Sequence, residues 1–138
     1  LKEGIEAVWR RHEVLASAIW AAIESWEKGG ELKANIQDKK LRSAAVTSLH
    51  VQTPKGAHIR KWLQANTGLT IGIGLGMATP NDPNGDGYFR LGHMGHVNAQ
   101  MIMALIATLE TAMIAVGVPH GNNAINKAAS IIANFSEP

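Results

Sequence analysis

The sequence predicts an α+β fold, a small antiparallel or mixed sheet of about three strands covered by helices. Two observations carry this. Segments at both ends repeat apolar residues every three or four positions, the helical period, while the middle of the chain holds short alternating stretches bounded by Gly, Pro, Asn and Asp. The 138 residues are also 46% hydrophobic and 17% charged, which suits one compact core and leaves little room for two.

Taking the elements in order, Ile5, Val8, Trp9, Leu15, Ala16, Ile19, Trp20, Ile23 and Trp26 put one apolar stripe on a helix from Leu1 to about Lys28. Glu3 and Glu6 near its start and Lys28 near its end complement the helix dipole, and Gly29-Gly30 reads as a left-handed stop. The three tryptophans on the stripe read as core. After a charged connector, Glu31 to Arg42, the stretch Ala44 to Val51 reads as a half-buried strand. Thr53-Pro54-Lys55-Gly56 breaks it, and Ala57 to Asn66 places Ile59, Trp62 and Leu63 on one face of a short helix ended by Gly68. Thr70 to Gly76 alternates Ile71, Ile73 and Leu75 with three glycines, a strand with one branched face and one face of bare backbone. A neighbouring helix, a substrate or a cofactor would fit against the bare side. A turn-rich loop, Ala78 to Gly87, leads to a third strand, Tyr88 to His93. Asn98 is an N-cap for a helix along Ile102, Leu105, Leu109, Met113 and Val116, stopped by Gly117 and Pro119, and Asn122 to Asn134 makes a last, weaker helix.

Composition narrows the function classes. Thirteen Lys and Arg against eleven Asp and Glu leave a formal charge of +2, too little positive field for nucleic acid to be an expected partner. With no cysteine, disulfides, thiolate metal sites and thiol catalysis drop out. Met101 to Val118 is apolar but interrupted by Thr108, Glu110 and Thr111, so no membrane segment is expected. The chain begins at Leu1 without a basic-then-apolar signal, so a cytoplasmic piece of something longer is the expectation.

Several motifs invite a functional reading. Asp82-Pro83-Asn84-Gly85-Asp86-Gly87 resembles the opening of a calcium loop, but the twelfth position, which should be a bidentate Glu, is His93, and strands flank it where helices belong. His93 and His96 have an H-x-x-H spacing, yet glycines interrupt the segment and His120 is the only later imidazole, so a satisfied structural histidine is the plainer reading. Gly72-Ile73-Gly74-Leu75-Gly76 does not open into a helix and so makes no phosphate cradle. Lys39-Lys40-Leu41-Arg42 reads as a solvated connector. No metal site is expected. Arg90 differs: it sits among Tyr88, Phe89, Leu91 and Gly92, with no acidic residue within three positions. Such a cation needs an anion, and either a remote carboxylate of the protein or the carboxylate of a ligand would serve its planar fork.

The glycine strand, the loop, Tyr88-Phe89-Arg90-Leu91-Gly92-His93-Met94-Gly95 and the helix from Asn98 together resemble the closing half of the small domain of class V, fold type I aminotransferases, of the alanine:glyoxylate and serine:pyruvate type. The opening helix with Glu6-Ala7-Val8-Trp9-Arg10-Arg11-His12, the strand Val46 to Val51 and the helix Ala57 to Asn66 follow that domain's order, so the resemblance spans essentially residues 1–138. It implies the C-terminal small domain of a longer pyridoxal-type aminotransferase, inactive alone, with the large cofactor-binding domain absent. Arg90 would bind the α-carboxylate of a small amino acid or 2-oxo acid. Pyridoxal phosphate, or pyridoxal and pyridoxamine as substrates, would be bound mainly by the missing domain, which also supplies the catalytic lysine. None of Lys2, Lys28, Lys33, Lys39, Lys40, Lys55, Lys61 and Lys127 takes that duty. The resemblance also implies a homodimer or homotetramer. The long loop Met77 to Gly87, with Val118-Pro119-His120-Gly121, is similar to the pyridoxamine:pyruvate aminotransferases, which turn pyridoxamine and pyruvate into pyridoxal and alanine. An alanine or serine:glyoxylate (pyruvate) enzyme with fixed pyridoxal phosphate is the alternative within the family. A ligand-binding or interaction module in which Arg90 pairs internally is the alternative outside it.

Overall fold

The structure, a computed structural model, describes residues 2–135. Helix α1 (Ile5–Glu27) is followed by β1 (Lys33–Ala34), a 3-10 turn at Lys39–Leu41, β2 (Val46–His50), α2 (Lys55–Thr67), β3 (Gly72–Ile73), β4 (Tyr88–Gly92), α3 (Ala99–Val116) and α4 (Ala124–Ala133). The α+β class holds, with four antiparallel strands in the order β1-β2-β4-β3 in place of about three. The extra strand, β1, is two residues inside the charged connector, too short to show any alternation.

Alternation along β2 and β4 sorts the sheet into two faces. Thr47, Leu49, Phe89 and Leu91 are buried, while Val46, Ser48, Tyr88 and Arg90 are only half-buried. Register makes Ser48 the partner of Arg90 and Leu49 the partner of Phe89. Residues that alternate share a face, so Val46 lies with Ser48 and Arg90 on the open side. Ile19, Ile23 and Trp26 of α1, Ile59 and Leu63 of α2 and Ile102, Ile106 and Leu109 of α3 close the core over the other side.

Helix α1 is buried only from Leu15 onward. Leu1, where the sequence starts the helix, lies outside the described residues. Ile5 and Trp9 lie on the apolar stripe but are 54% and 62% exposed, so Trp9 is not core. More than half of each of these residues is open to solvent. Trp26 is buried and donates its Nε1 hydrogen to Glu110 at 2.7 Å.

The reading of Gly29-Gly30 as a left-handed stop is also corrected: neither glycine has a positive φ. They are required because the chain crosses itself there. A Cβ on Gly30 would lie 1.7 Å from Pro119 O, and one on Gly121 would lie 2.1 Å from Ser25 O. Backbone hydrogen bonds from Gly121 N to Trp26 O, 2.9 Å, and from Glu31 N to Pro119 O, 3.3 Å, lock the crossing.

At the start of α3, Asn98 caps as expected, its side chain accepting from Met101 N at 2.9 Å, and Gly117 ends the helix in the left-handed conformation. The helix is long and apolar enough to cross a membrane, with a mean hydropathy of 1.8. One side of it, Ile102, Ile106, Leu109 and Met113, is nevertheless built into the core, and the interruptions at Glu110 and Thr111 fall elsewhere on its circumference.

Candidate functional site

Arg90 enters the open face of the sheet at the middle of β4. Its Nε donates to Ile73 O at 2.8 Å, which aims the side chain across β3. Among the described residues that is its one hydrogen bond, and no carboxylate pairs with it. Of the two partners the sequence leaves open, an internal acid is therefore missing from the described residues. In front of the guanidinium lies a cleft of about 240 Å³ whose lining includes Ile36, Leu41, Val46, Ser48 and Met77, with no lysine and no acid. Ser48 donates its hydroxyl to Met77 Sδ at 3.3 Å, which ties the loop after β3 to the edge of the cleft.

Against the bare glycine face lie β4's own side chains. A Cβ on Gly72 would meet Arg90 Cβ at 3.3 Å and Nε at 3.4 Å, and one on Gly74 would sit 2.4 Å from Tyr88 Cβ. The strand is shorter than expected because only Gly72 and Ile73 pair with β4. Ile71 is buried, while Ile73 and Leu75 are 51% and 67% exposed. Glycine there makes room for the arginine to lie flat across its neighbour.

The remaining motifs resolve into structural networks. His93 is fully buried: Nδ1–H donates to Ala44 O at 3.0 Å, so Nε2 accepts the Thr47 hydroxyl at 2.9 Å, and Thr47 in turn accepts Trp20 Nε1–H at 3.0 Å. Ala44 O accepts only, which fixes that tautomer. Burial, aided by the nearby His12, pushes the imidazole below its ordinary 6.5, against the hydrogen bond to Ala44. Asp82 accepts Asp86 N at 2.9 Å and Gly87 N at 2.8 Å. Burial alone would raise its carboxyl, but bonds from Gly87, Thr53 and Asp86 outweigh it and hold the group below its ordinary 3.8. Both carboxylate oxygens thus close the turn, and the twelfth position of the calcium pattern is sealed in the core. Among the described residues no group of three His, Cys, Asp or Glu could hold a metal.

These two shifts have the same sign. The folded chain binds fewer protons than the unfolded one, so stability falls as pH falls. The His93 contribution is intact above 6.5 and lost on acidification toward its depressed value, and the Asp82 contribution is lost below 3.8. Urea midpoints of the full-length protein are expected to decline between about pH 7 and pH 5, and His93→Gln to flatten that decline. An equal slope in the variant rejects the assignment.

A larger groove, about 600 Å³, lies between α1 and the β4–α3 loop, lined by Val8, Trp9, Ala44, Ala45 and His96 among others. Its charged groups are already engaged. Arg11 bonds Glu3 at 2.8 Å, Gly95 O at 3.2 Å and Val97 O at 2.7 Å. His12 lies between Val8 O at 2.8 Å and Gly95 N at 3.1 Å. The Arg90 cleft is smaller but offers an uncommitted fork, and it is the better anion site. The H-x-x-H pair is divided between core and groove. Pro119 and Gly121 pack at the end of α1.

Sequence reasoning missed Arg42, which stands in the Arg90 cleft. The connector holding it was expected to be solvated, yet its side chain is only 5% exposed. No periodicity marks an arginine folded back on its own turn.

The mixed α+β fold, a four-strand antiparallel sheet with helices, matches a fragment of the class V aminotransferases. The homologues and structural neighbours of this chain are class V aminotransferases, of which it covers a fragment. The chain is 31% identical over 120 residues to an L-aspartate–glyoxylate aminotransferase of Paracoccus denitrificans, spanning 86% of this chain but 28% of that protein. It is 31% identical over 121 residues to a serine–glyoxylate aminotransferase of Arabidopsis thaliana, spanning 86% of this chain and 27% of that protein. Among solved structures, the ureidoglycine–glyoxylate aminotransferase of Bacillus subtilis superposes with a TM-score of 0.78 at 21% identity, over 96% of this chain and 32% of the other. The pyridoxamine–pyruvate aminotransferase of Mesorhizobium loti gives 0.78 at 24% identity over the same shares. No protein-family model matches the chain.

Proposed function

We propose that the chain is the C-terminal small domain of an aminotransferase of the glyoxylate or pyruvate type, in which Arg90 binds the substrate carboxylate. The observation that carries this is the Arg90 guanidinium, anchored through Nε to Ile73 O and facing a cleft that holds no acid. Two parallel N–H groups match the two oxygens of a carboxylate, and a planar fork fixes orientation as well as charge. With the acid end held, the carbon bearing the amino or oxo group is presented in one direction, which is the part of transamination this chain can perform.

Class V aminotransferases are in general dependent on pyridoxal phosphate, which supplies the electron sink for moving the amino group. The cleft lining, without lysine or carboxylate, does not fit that group, so its holder and the proton-transferring lysine are assigned to a part of the enzyme outside this chain. A match to under a third of each relative agrees with that division. A homodimer or homotetramer is the proposed assembly.

A narrower reading, pyridoxamine with pyruvate, is favoured by Met77, which brings the long loop to the edge of the Arg90 cleft. The full-length protein is expected to aminate glyoxylate or pyruvate from a small amino acid, alanine, serine or aspartate. Incubation of glyoxylate with alanine, serine or aspartate, and of pyruvate with serine, aspartate or pyridoxamine, each with and without added pyridoxal phosphate, checks this by following glycine or alanine formation. No transfer to either acid overturns the proposal, and transfer from pyridoxamine without the phosphate form selects the narrower reading.

A further inference from the structure

The turn between β1 and β2 is wrapped around one buried cation. Arg42 donates from Nε to Ile36 O at 2.8 Å and from Nη2 to Gln37 O at 3.3 Å. Its guanidinium carbon lies 5.8 Å from the centre of the Trp20 ring. Nη1 stands 3.7 Å from Glu24, which Lys39 approaches to 2.6 Å. The same turn is fastened to the sheet by Asn35 N donating to Ser48 O at 2.9 Å, and Ser48 is the register partner of Arg90.

With two of its nitrogens spent on carbonyls and its third 3.7 Å from the Glu24 carboxylate it shares with Lys39, Arg42 is poorly suited to receive a second substrate anion. What it controls is where Ile36 and Leu41 stand. Both line the cleft in front of Arg90, and they remain 42% and 71% exposed. Two large apolar side chains held in water beside an anion receptor form a wall that a ligand's carbon side chain would cover.

We infer that Arg42 is a positioning residue: by gripping the carbonyls of Ile36 and Gln37 it fixes Ile36 and Leu41 as the apolar wall of the Arg90 cleft, and this wall sets the size of 2-oxo acid side chain admitted. The inference rests on the reading that Arg90 takes the carboxylate. Lysine cannot replace Arg42, because one ammonium does not span two carbonyls in a fork.

The test compares kcat/KM for glyoxylate and for the bulkier 2-oxobutanoate in the full-length enzyme, with the thermal midpoint recorded for each variant. Arg42→Met is expected to raise the 2-oxobutanoate to glyoxylate ratio about tenfold, the scale on which pockets discriminate one or two carbon groups, and Arg42→Lys is not expected to restore it. Leu41→Ala should shift the ratio in the same direction with an unchanged midpoint, since that side chain is mostly exposed. This second variant decides the matter if Arg42→Met does not fold. A general loss of stability lowers both activities together and leaves the ratio alone. A ratio within about twofold of the parent in Leu41→Ala and in the folded Arg42 variant overturns the inference. Arg90→Lys, run alongside, separates the two readings: unchanged saturation by both acids rejects the anchor and the wall with it, whereas weakened saturation with an unmoved ratio rejects the wall alone.

Discussion

In the full-length enzyme, Arg90→Lys is expected to raise the KM for glyoxylate or pyruvate by about ten- to a hundredfold, because losing a charge-assisted bidentate contact costs about 1.5–3 kcal/mol. The geometry makes the loss specific. Arg90 spends Nε on Ile73 O, and its two terminal nitrogens make no hydrogen bond among the described residues, a division that a single ammonium cannot repeat. A lysine that reaches the Ile73 carbonyl has withdrawn from the cleft, and one that reaches the cleft has lost its anchor. If the carboxylate contact is the same in ground state and transition state, the effect falls on KM and leaves kcat nearly unchanged. Gly72→Ala supplies an independent probe, since its Cβ would press on Arg90 Cβ at 3.3 Å and Nε at 3.4 Å and turn the guanidinium without removing it. Steady-state titration of the oxo acid checks both variants. Saturation curves that superpose on the parent's for Arg90→Lys remove the carboxylate role.

How far the sequence speaks depends on whether a residue's job is periodic or relational. The α3 helix is legible from end to end because its signals are local: Asn98 at the cap, apolar residues at helical spacing, Gly117 at the stop. Arg90 is legible for a similar reason, as a charge stranded in an apolar, glycine-bearing strand. The phase of β2 is not, because Val46 and Thr47 are both β-formers and only the partners across the sheet decide which one turns inward. Thr47 is buried because Trp20 and His93 bond it, and those residues lie 27 positions before it and 46 after it. The basic run is solvated at Lys39, Lys40 and Leu41 and departs from that reading only at Arg42. Its composition predicts solvent, but the nearby Glu24, Trp20 and two carbonyls of its own turn hold Arg42 inside. Trp9 fails in the opposite direction, since a helical stripe records which side is apolar and not where the covering elements end.

Gly30→Ala is expected to destabilise the protein by about 3 kcal/mol or more, the upper range for forcing extra atoms into a packed region, and to lower the thermal midpoint of the full-length protein by about 10 °C or prevent soluble accumulation. The new methyl would sit 1.7 Å from Pro119 O. That oxygen is main chain and cannot rotate aside, and it also accepts the Glu31 N–H at 3.3 Å, so moving it breaks a backbone bond. Gly121 is bound into the same crossing from the other side, with Ser25 O 2.1 Å from where its own Cβ would be, so the strain is not relieved by shifting the Pro119–Gly121 segment. The conformational gain from replacing glycine, about 0.4–1 kcal/mol at a position that tolerates alanine, is small beside this overlap. Gly92→Ala is the matched control: its Cβ would meet nothing within 4 Å and its φ is not positive, so it should stay within about 0.5 kcal/mol of the parent. A left-handed stop would predict a modest penalty of about 1 kcal/mol at Gly30, whereas a backbone crossing predicts failure of the junction between α1 and the segment after α3. Thermal midpoints for the two variants that fall together would sink the crossing as the reason for this glycine.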